Sequence, residues 1–264
     1  MDLLSILTGG LVGFVIGLTG VGGGSLMTPM LVLGFGISPA IAVGTDLLYA
    51  AITKAGGVVF HHRQGTVDWK VAGLLASGSI PASLLTISLL GNMKNAGIDF
   101  EAIMMVTLSI MLILTSFVVF IRTRLLTYLH DSLSRKNSLA TVLLGYRSCL
   151  TVLSGLMLGV VVSLSSVGAG AIGSAILFLL YPRKPAISIV GTDLAHAIPL
   201  TAIAGFGHLH MGTVDLNLLG GLLVGGIPCI YLGSVIGKNM PDGILRPLIG
   251  ILLLILGLAL ALTL

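Results

Sequence analysis

The polar chemistry of this chain is concentrated in a few short runs set within apolar segments. Val43-Gly44-Thr45-Asp46-Leu47 and Val190-Gly191-Thr192-Asp193-Leu194 each place a hydroxyl beside a carboxylate inside a hydrophobic stretch. A carboxylate at membrane depth is costly and marks either a function or a structural need. Asp46 and Asp193 can cap exposed backbone N–H groups. Alternatively, they can carry a coupling proton, because desolvation favours the neutral acid. The hydroxyls of Thr45 and Thr192 can hold anion oxygens or bond back to their own helix. Lys54 follows Asp46 by eight positions, where it either pairs with that carboxylate or flanks the same cavity. His196 stands one turn after Asp193, on the same helix face, and can line a pathway. His61 and His208 close matching segments, as proton relays or as helix-end residues.

Two glycine-rich runs, Gly20-Val21-Gly22-Gly23-Gly24-Ser25 and Ser166-Val167-Gly168-Ala169-Gly170-Ala171, interrupt long apolar stretches. Glycine costs a helix about 1 kcal/mol per position relative to alanine, and non-helical backbone at bilayer depth survives only in protein or a wet cavity. A turn followed by a new helix presents free N–H groups and the positive end of a dipole, which together suit an anion. The candidate anion-binding positions are therefore Gly22, Gly23, Gly24 and Ser25 in one run, and Gly168, Ala169, Gly170 and Ala171 in the other. Close helix packing by small residues is the competing explanation. The first run lacks both the last glycine of a dinucleotide fingerprint and the lysine of a P-loop, so no nucleotide site is expected.

These groups must be positioned by membrane helices. The chain has 264 residues, of which 56% are hydrophobic and 8% charged, against about 25% charged in soluble domains. Its mean hydropathy is +1.13. The apolar runs are continuous and mostly long enough for the roughly 20 residues of a spanning helix, so a β-barrel is not expected. Cys149 and Cys229 are isolated and have no metal-ligand spacing. No metal or other cofactor is expected. The formal charge of +4 comes from basic residues in short loops without aromatic interleaving, which fits lipid topology rather than nucleic acid. The first 19 residues contain no Lys or Arg, so they do not read as a cleaved signal peptide.

A shift of 146 to 147 positions lays the second half over the first. Gly9 and Gly13 fall on Gly155 and Gly159, and the two Gly-Thr-Asp triads coincide. His61 and Gly65-Thr66-Val67-Asp68 fall on His208 and Gly212-Thr213-Val214-Asp215. The expected architecture is all-α and polytopic, with two homologous repeats, each a glycine-broken helix plus three transmembrane helices. Residues 1–121 form the first repeat, 122–147 a basic cytoplasmic linker and 148–264 the second repeat. Paired halves with broken segments at matching places are a signature of secondary transporters.

Charge decides between two topologies. If each broken segment crosses once, the linker side carries seven Lys and Arg residues against five. If each is a re-entrant hairpin, the second repeat inverts and the count becomes eleven against one, with Lys94 alone outside and Lys54 within a span. The positive-inside rule favours the inverted arrangement. One long kinked helix per half is the competing form of the broken segment.

The repeated glycine turn, the Gly-Thr-Asp triads and the closing Gly-Thr-Val-Asp runs resemble the sulfite exporter TauE/SafE family over nearly the whole chain. The resemblance implies a permease for sulfite, an organosulfonate or a related oxyanion, coupled to protons or another ion gradient. The family's glycine motif corresponds to Gly20, Gly22, Gly23 and Gly24, and to Gly168 and Gly170 in the second half. There Ser166 and Ala169 replace Gly20 and Gly23, so the half-sites differ. The expected partners are a small anion and the lipid bilayer, in the inner (plasma) membrane. A passive anion channel is the nearer alternative. An intramembrane enzyme is the remoter one, because GxSxG and HExxH motifs are missing.

Overall fold

In the computed structural model, residues 3–19, 24–134, 145–237 and 242–263 are described, and among them the regular structure is helical. The helices are α1 (Leu3–Thr19), α2 (Gly24–Phe35), α3 (Pro39–Arg63), α4 (Trp69–Asn95), α5 (Glu101–Ser134), α6 (Arg147–Ser165), α7 (Ala171–Leu180), α8 (Ala186–His210), α9 (Leu216–Gly237) and α10 (Asp242–Ala261). Six stretches are long and apolar enough to cross a bilayer: α3, α4, α6, α8, α9 and Glu101–Ile121 of α5. Helices are the natural outcome, since each backbone group must find its partner within the segment when lipid offers none. The prolines inside α2, α4, α8, α9 and α10 are tolerable for the same reason, because neighbouring helices can serve the carbonyls they free. Helix α5 continues past residue 121 into the segment expected to be linker.

The halves are interleaved, so each repeat packs mainly against the other. α1 lies on α9 and α6 lies on α4, while α3 pairs with α8 and α5 with α10. Glycines permit backbone-to-backbone contact in both of the first two seams. A Cβ at Gly9 would come 2.3 Å from the Leu222 carbonyl oxygen, and one at Gly155 would come 2.2 Å from that of Leu75. These contacts are counterparts, since Gly9 aligns with Gly155 and Leu75 with Leu222. Gly13 meets Gly226 and Gly159 meets Ser79 in the same way.

The contacts also fix helix direction. Along the α3/α8 seam Gly44 meets His208, Leu48 meets Gly205, Gly57 meets Leu194 and His61 meets Gly191, so these equivalent helices run antiparallel. Phe120 with Gly250 and Ile113 with Gly257 give the same sense for α5 and α10. α6 runs parallel to α4, from Gly155 at Leu75 to Gly159 at Ser79. The start of α6 therefore lies at the end of the bundle where Asp68 begins α4. Lys184, just beyond α7, reaches the same Asp68.

Candidate functional site

The second break is a defined backbone feature. α6 closes with Ser166 in the left-handed region at φ 58°, its N–H bonded to the Val162 carbonyl at 2.8 Å. Gly168 and Gly170 follow at φ 120° and 131°, conformations that a side chain would strain, and α7 starts at Ala171. The N–H groups of Gly173 and Ser174 bond to the Gly168 and Gly170 carbonyls. Those of Ala171 and Ile172 open the helix, ahead of the first intrahelical bond. In the first half, Gly20, Val21, Gly22 and Gly23 lie outside the described residues; Gly24 begins α2 and Ser25 is buried.

Lys54 links the halves. Its Nζ donates to the Ala169 carbonyl at 3.2 Å, entering the second break from α3 of the first half. Among the described residues it makes no ion pair; the one found is Lys184 with Asp68. Asp46, Asp193 and His196 all lie within range of its charge. Thr201, the counterpart of Lys54, bonds back to the Ala197 carbonyl at 2.9 Å. Its hydroxyl is occupied within its own helix.

Each buried carboxylate rests on the short helix of its own half. Thr28 on α2 donates to Asp46 Oδ2 at 2.5 Å. On α7, a Cβ at Gly173 would come 2.2 Å from Asp193 Oδ1, so the absent side chain makes room for the carboxylate. Ser166, at the break, is buried, and its hydroxyl, like Asp46 Oδ1, has no hydrogen-bond partner among the described residues.

Four of the sequence-predicted residues serve seams between the halves. The Thr45 hydroxyl accepts from the Asp215 N–H at 3.1 Å, and the Thr192 hydroxyl accepts from that of Asp68 at 2.9 Å. Thr192 also donates to the Ser188 carbonyl. His61 and His208 end their helices with Nδ1 on the hydroxyls of Thr66 and Thr213, at 2.8 and 2.9 Å. His208 Nε2 further meets the Ser163 carbonyl at 3.0 Å. The helix-end alternative for these histidines matches their placement, and each Gly-Thr-Asp triad packs on the His-to-Asp run of the other half.

Sequence reasoning missed Thr28 and Ser79. Ser79 Oγ lies 2.8 Å from His196 Nε2, both residues being buried. Thr28 aligns near Ser174 and the two hydroxyls give no contrast, whereas Ser79 aligns with Gly226, so a polar residue on one side of the repeat alignment was the available signal there. The neighbouring Ser83–Ser163 hydroxyl pair at 2.7 Å likewise has Ile230 and Gly17 as its counterparts. The α4/α6 seam is the more polar of the two.

Outside the spans, Asp68 Oδ1 accepts from the N–H groups of Lys70 and Val71, capping α4. Partial burial works to raise the carboxyl, but the Lys184 ammonium and these N–H donors outweigh it and hold the group below the usual carboxylate range. Asp215 caps α9 in the same manner. Ile37 stands at the counterpart of Lys184, so the ion pair belongs to one half.

Comparison with known proteins points to a family of membrane transporters. The sequence profile described as sulfite exporter TauE/SafE matches residues 5–260. The chain is 38% identical to the probable membrane transporter protein YjnA of Bacillus subtilis over 98% of this chain and 100% of that one. It is 29% identical to YdhB of the same organism, also named a probable membrane transporter protein, over 98% and 99%. A probable membrane transporter protein of Haemophilus influenzae is 28% identical over 77% of this chain and 69% of that one. No solved structure matches it.

Proposed function

The chain belongs to the sulfite exporter TauE/SafE family, and from that premise we propose that it is a secondary transporter of a small anion. The substrate is sulfite, an organosulfonate or a related oxyanion. It binds near the bilayer midplane at a site to which the glycine-rich runs of both halves contribute, and the halves rock about it. The observation that carries this reading is Lys54: a partly buried ammonium that donates to a carbonyl of the second break and has no carboxylate in contact among the described residues. Its positive charge remains available to an anion, beside the opening N–H groups of α7.

The repeats are inverted across the membrane, and each broken segment is a re-entrant hairpin. The antiparallel register of α3 against α8 and of α5 against α10 supports the first point. The second is supported by Asp68 meeting Lys184 at the same end of the bundle as the start of α6. That end carries Arg63, Lys70, Arg147, Arg183 and Lys184 and faces the cytoplasm of a plasma membrane. Asp46 and Asp193 flank the anion, and protonation of one of them relieves the repulsion, coupling flux to a proton gradient.

Uptake of labelled sulfite into proteoliposomes, with and without an imposed pH gradient, tests this directly. Gradient-dependent flux is expected. Flux that ignores every imposed gradient would make the protein a passive channel, and no flux across a panel of oxyanions would defeat the reading.

A further inference from the structure

We propose that Ser79 fixes His196 as the tautomer protonated on Nδ1, so that the ring presents a neutral N–H donor to the oxyanion held beside Lys54. This rests on the transport reading above and adds to it a positioning residue and a hydrogen-bonding requirement on the substrate.

Ser79 is 0% and His196 1% exposed, and they come from opposite halves of the chain. Ser79 Oγ lies within hydrogen-bonding distance of His196 Nε2, at 2.8 Å. A hydroxyl has one hydrogen and a neutral imidazole has one N–H, so two arrangements are possible. If Nε2 were the donor, the serine hydrogen would have no acceptor among the described residues, and Nδ1 would be an unserved lone pair. If the serine donates, only the Nδ1–H is left over. Leaving a buried polar group unserved is costly, so the second arrangement, with one such group instead of two, is favoured.

The group left over points to a ligand. Among the described residues His196 Nδ1 is buried and has no hydrogen-bond partner, whereas buried donors in folded proteins are nearly always paired. The charge of Lys54 acts on the same ring. An N–H donor next to an ammonium that makes no ion pair among the described residues suits an acceptor that carries negative charge on more than one atom, which is the chemistry of an oxyanion. The serine–histidine pair occurs once, since its counterpart across the repeat is Gly226 with Tyr49.

Nitrogen NMR on protein in lipid nanodiscs, with its six histidines isotope-labelled, reads the tautomer. His196→Gln identifies the signal. In the wild type the ring is expected to be neutral with its hydrogen on Nδ1, and sodium sulfite should shift that resonance. Ser79→Ala should move hydrogen toward Nε2 and raise the sulfite concentration for half-maximal proteoliposome uptake about tenfold, as expected for one lost hydrogen bond. Ser79→Thr, which keeps the hydroxyl, should restore both. A wild-type ring protonated on Nε2, or wild-type sulfite affinity in Ser79→Ala, would overturn the proposal. Absence of sulfite flux in the wild type would instead defeat the transport reading and the ligand half of this inference, while the resonances judge the tautomer separately.

Discussion

The hydroxyl of Tyr49 lies against the backbone of Gly226, in the place where, across the repeat, His196 meets Ser79. A Cβ at Gly226 would come 2.2 Å from the tyrosine oxygen. The same cleft is thus filled by a phenol against glycine in one half and by a hydrogen-bonded pair in the other. Gly226→Ser alone should therefore overpack the seam and destabilise the protein by about 1–3 kcal/mol. Adding Tyr49→His should recover most of that loss. Unfolding of detergent-solubilised single and double variants checks it; additive effects would show that the two positions do not complement each other.

The glycines of this chain should divide sharply. Gly155→Val would push a side chain into the Leu75 carbonyl and part α6 from α4, and loss of a monodisperse protein is expected. Gly73, whose Cβ would meet nothing within 4 Å, is a helical glycine without a packing role. Gly73→Ala should be neutral or stabilise by up to about 1 kcal/mol. Thermal melts of both variants by size-exclusion chromatography distinguish the cases.

Asp68 gives a pH signature. Its carboxyl is held below the usual range by Lys184 and the α4 N–H groups, so its contribution is fully present above the unfolded carboxylate value and is lost as pH falls through the lower folded value. Lys184→Met should cost about 0.5 kcal/mol at neutral pH, given that both side chains are partly exposed. The difference from wild type should shrink as acidification protonates Asp68. A difference that does not shrink as acidification protonates this carboxyl would mean that Lys184 acts through packing instead of charge.

Lys54→Met should reduce sulfite uptake tenfold or more, on the basis of roughly 1.5–3 kcal/mol for a hydrogen bond to a charged group. Thr201→Lys should not substitute for it in Lys54→Met, because that side chain would start from the other half of the chain, on α8 instead of α3. Recovery of uptake in the double variant would count against an unequal pair of half-sites.

Topology can be read by labelling in a background with Cys149 and Cys229 replaced. Thr263→Cys and Ser38→Cys should react from one face of the membrane and Arg183→Cys from the other. Thr263 on the Arg183 face would sink the inverted arrangement.

The class of fold was legible because continuous apolar runs leave little choice of structure, and the repeat was legible because its motifs survive nearly intact. The value of those motifs was not. Gly44-Thr45 and Thr213-to-Asp215 lie far apart in sequence, and only their contact shows that the hydroxyl of Thr45 is committed to the Asp215 N–H. Lys54 was recognisable as an unusual charge, but its partner lies 115 positions away on a backbone carbonyl, which leaves no sequence trace. Ser79 was hidden because a serine in an apolar helix has a ready acceptor in its own backbone, and nothing in one sequence reveals that it bonds to His196 instead.

The crossed attachment of Thr45 to Asp215 and of Thr192 to Asp68 bears on biogenesis. The acceptor at Thr45 is synthesised 170 residues before its donor. When the first half leaves the ribosome, its glycine-lined faces and half-made caps have nothing to close against. The nascent chain must therefore wait in the bilayer, shielded by lipid or by the insertion machinery, until the later helices arrive. The same geometry gives two separately expressed halves a route to reassemble, because the bonds from Asp215 to Thr45 and from Asp68 to Thr192 each join one half to the other.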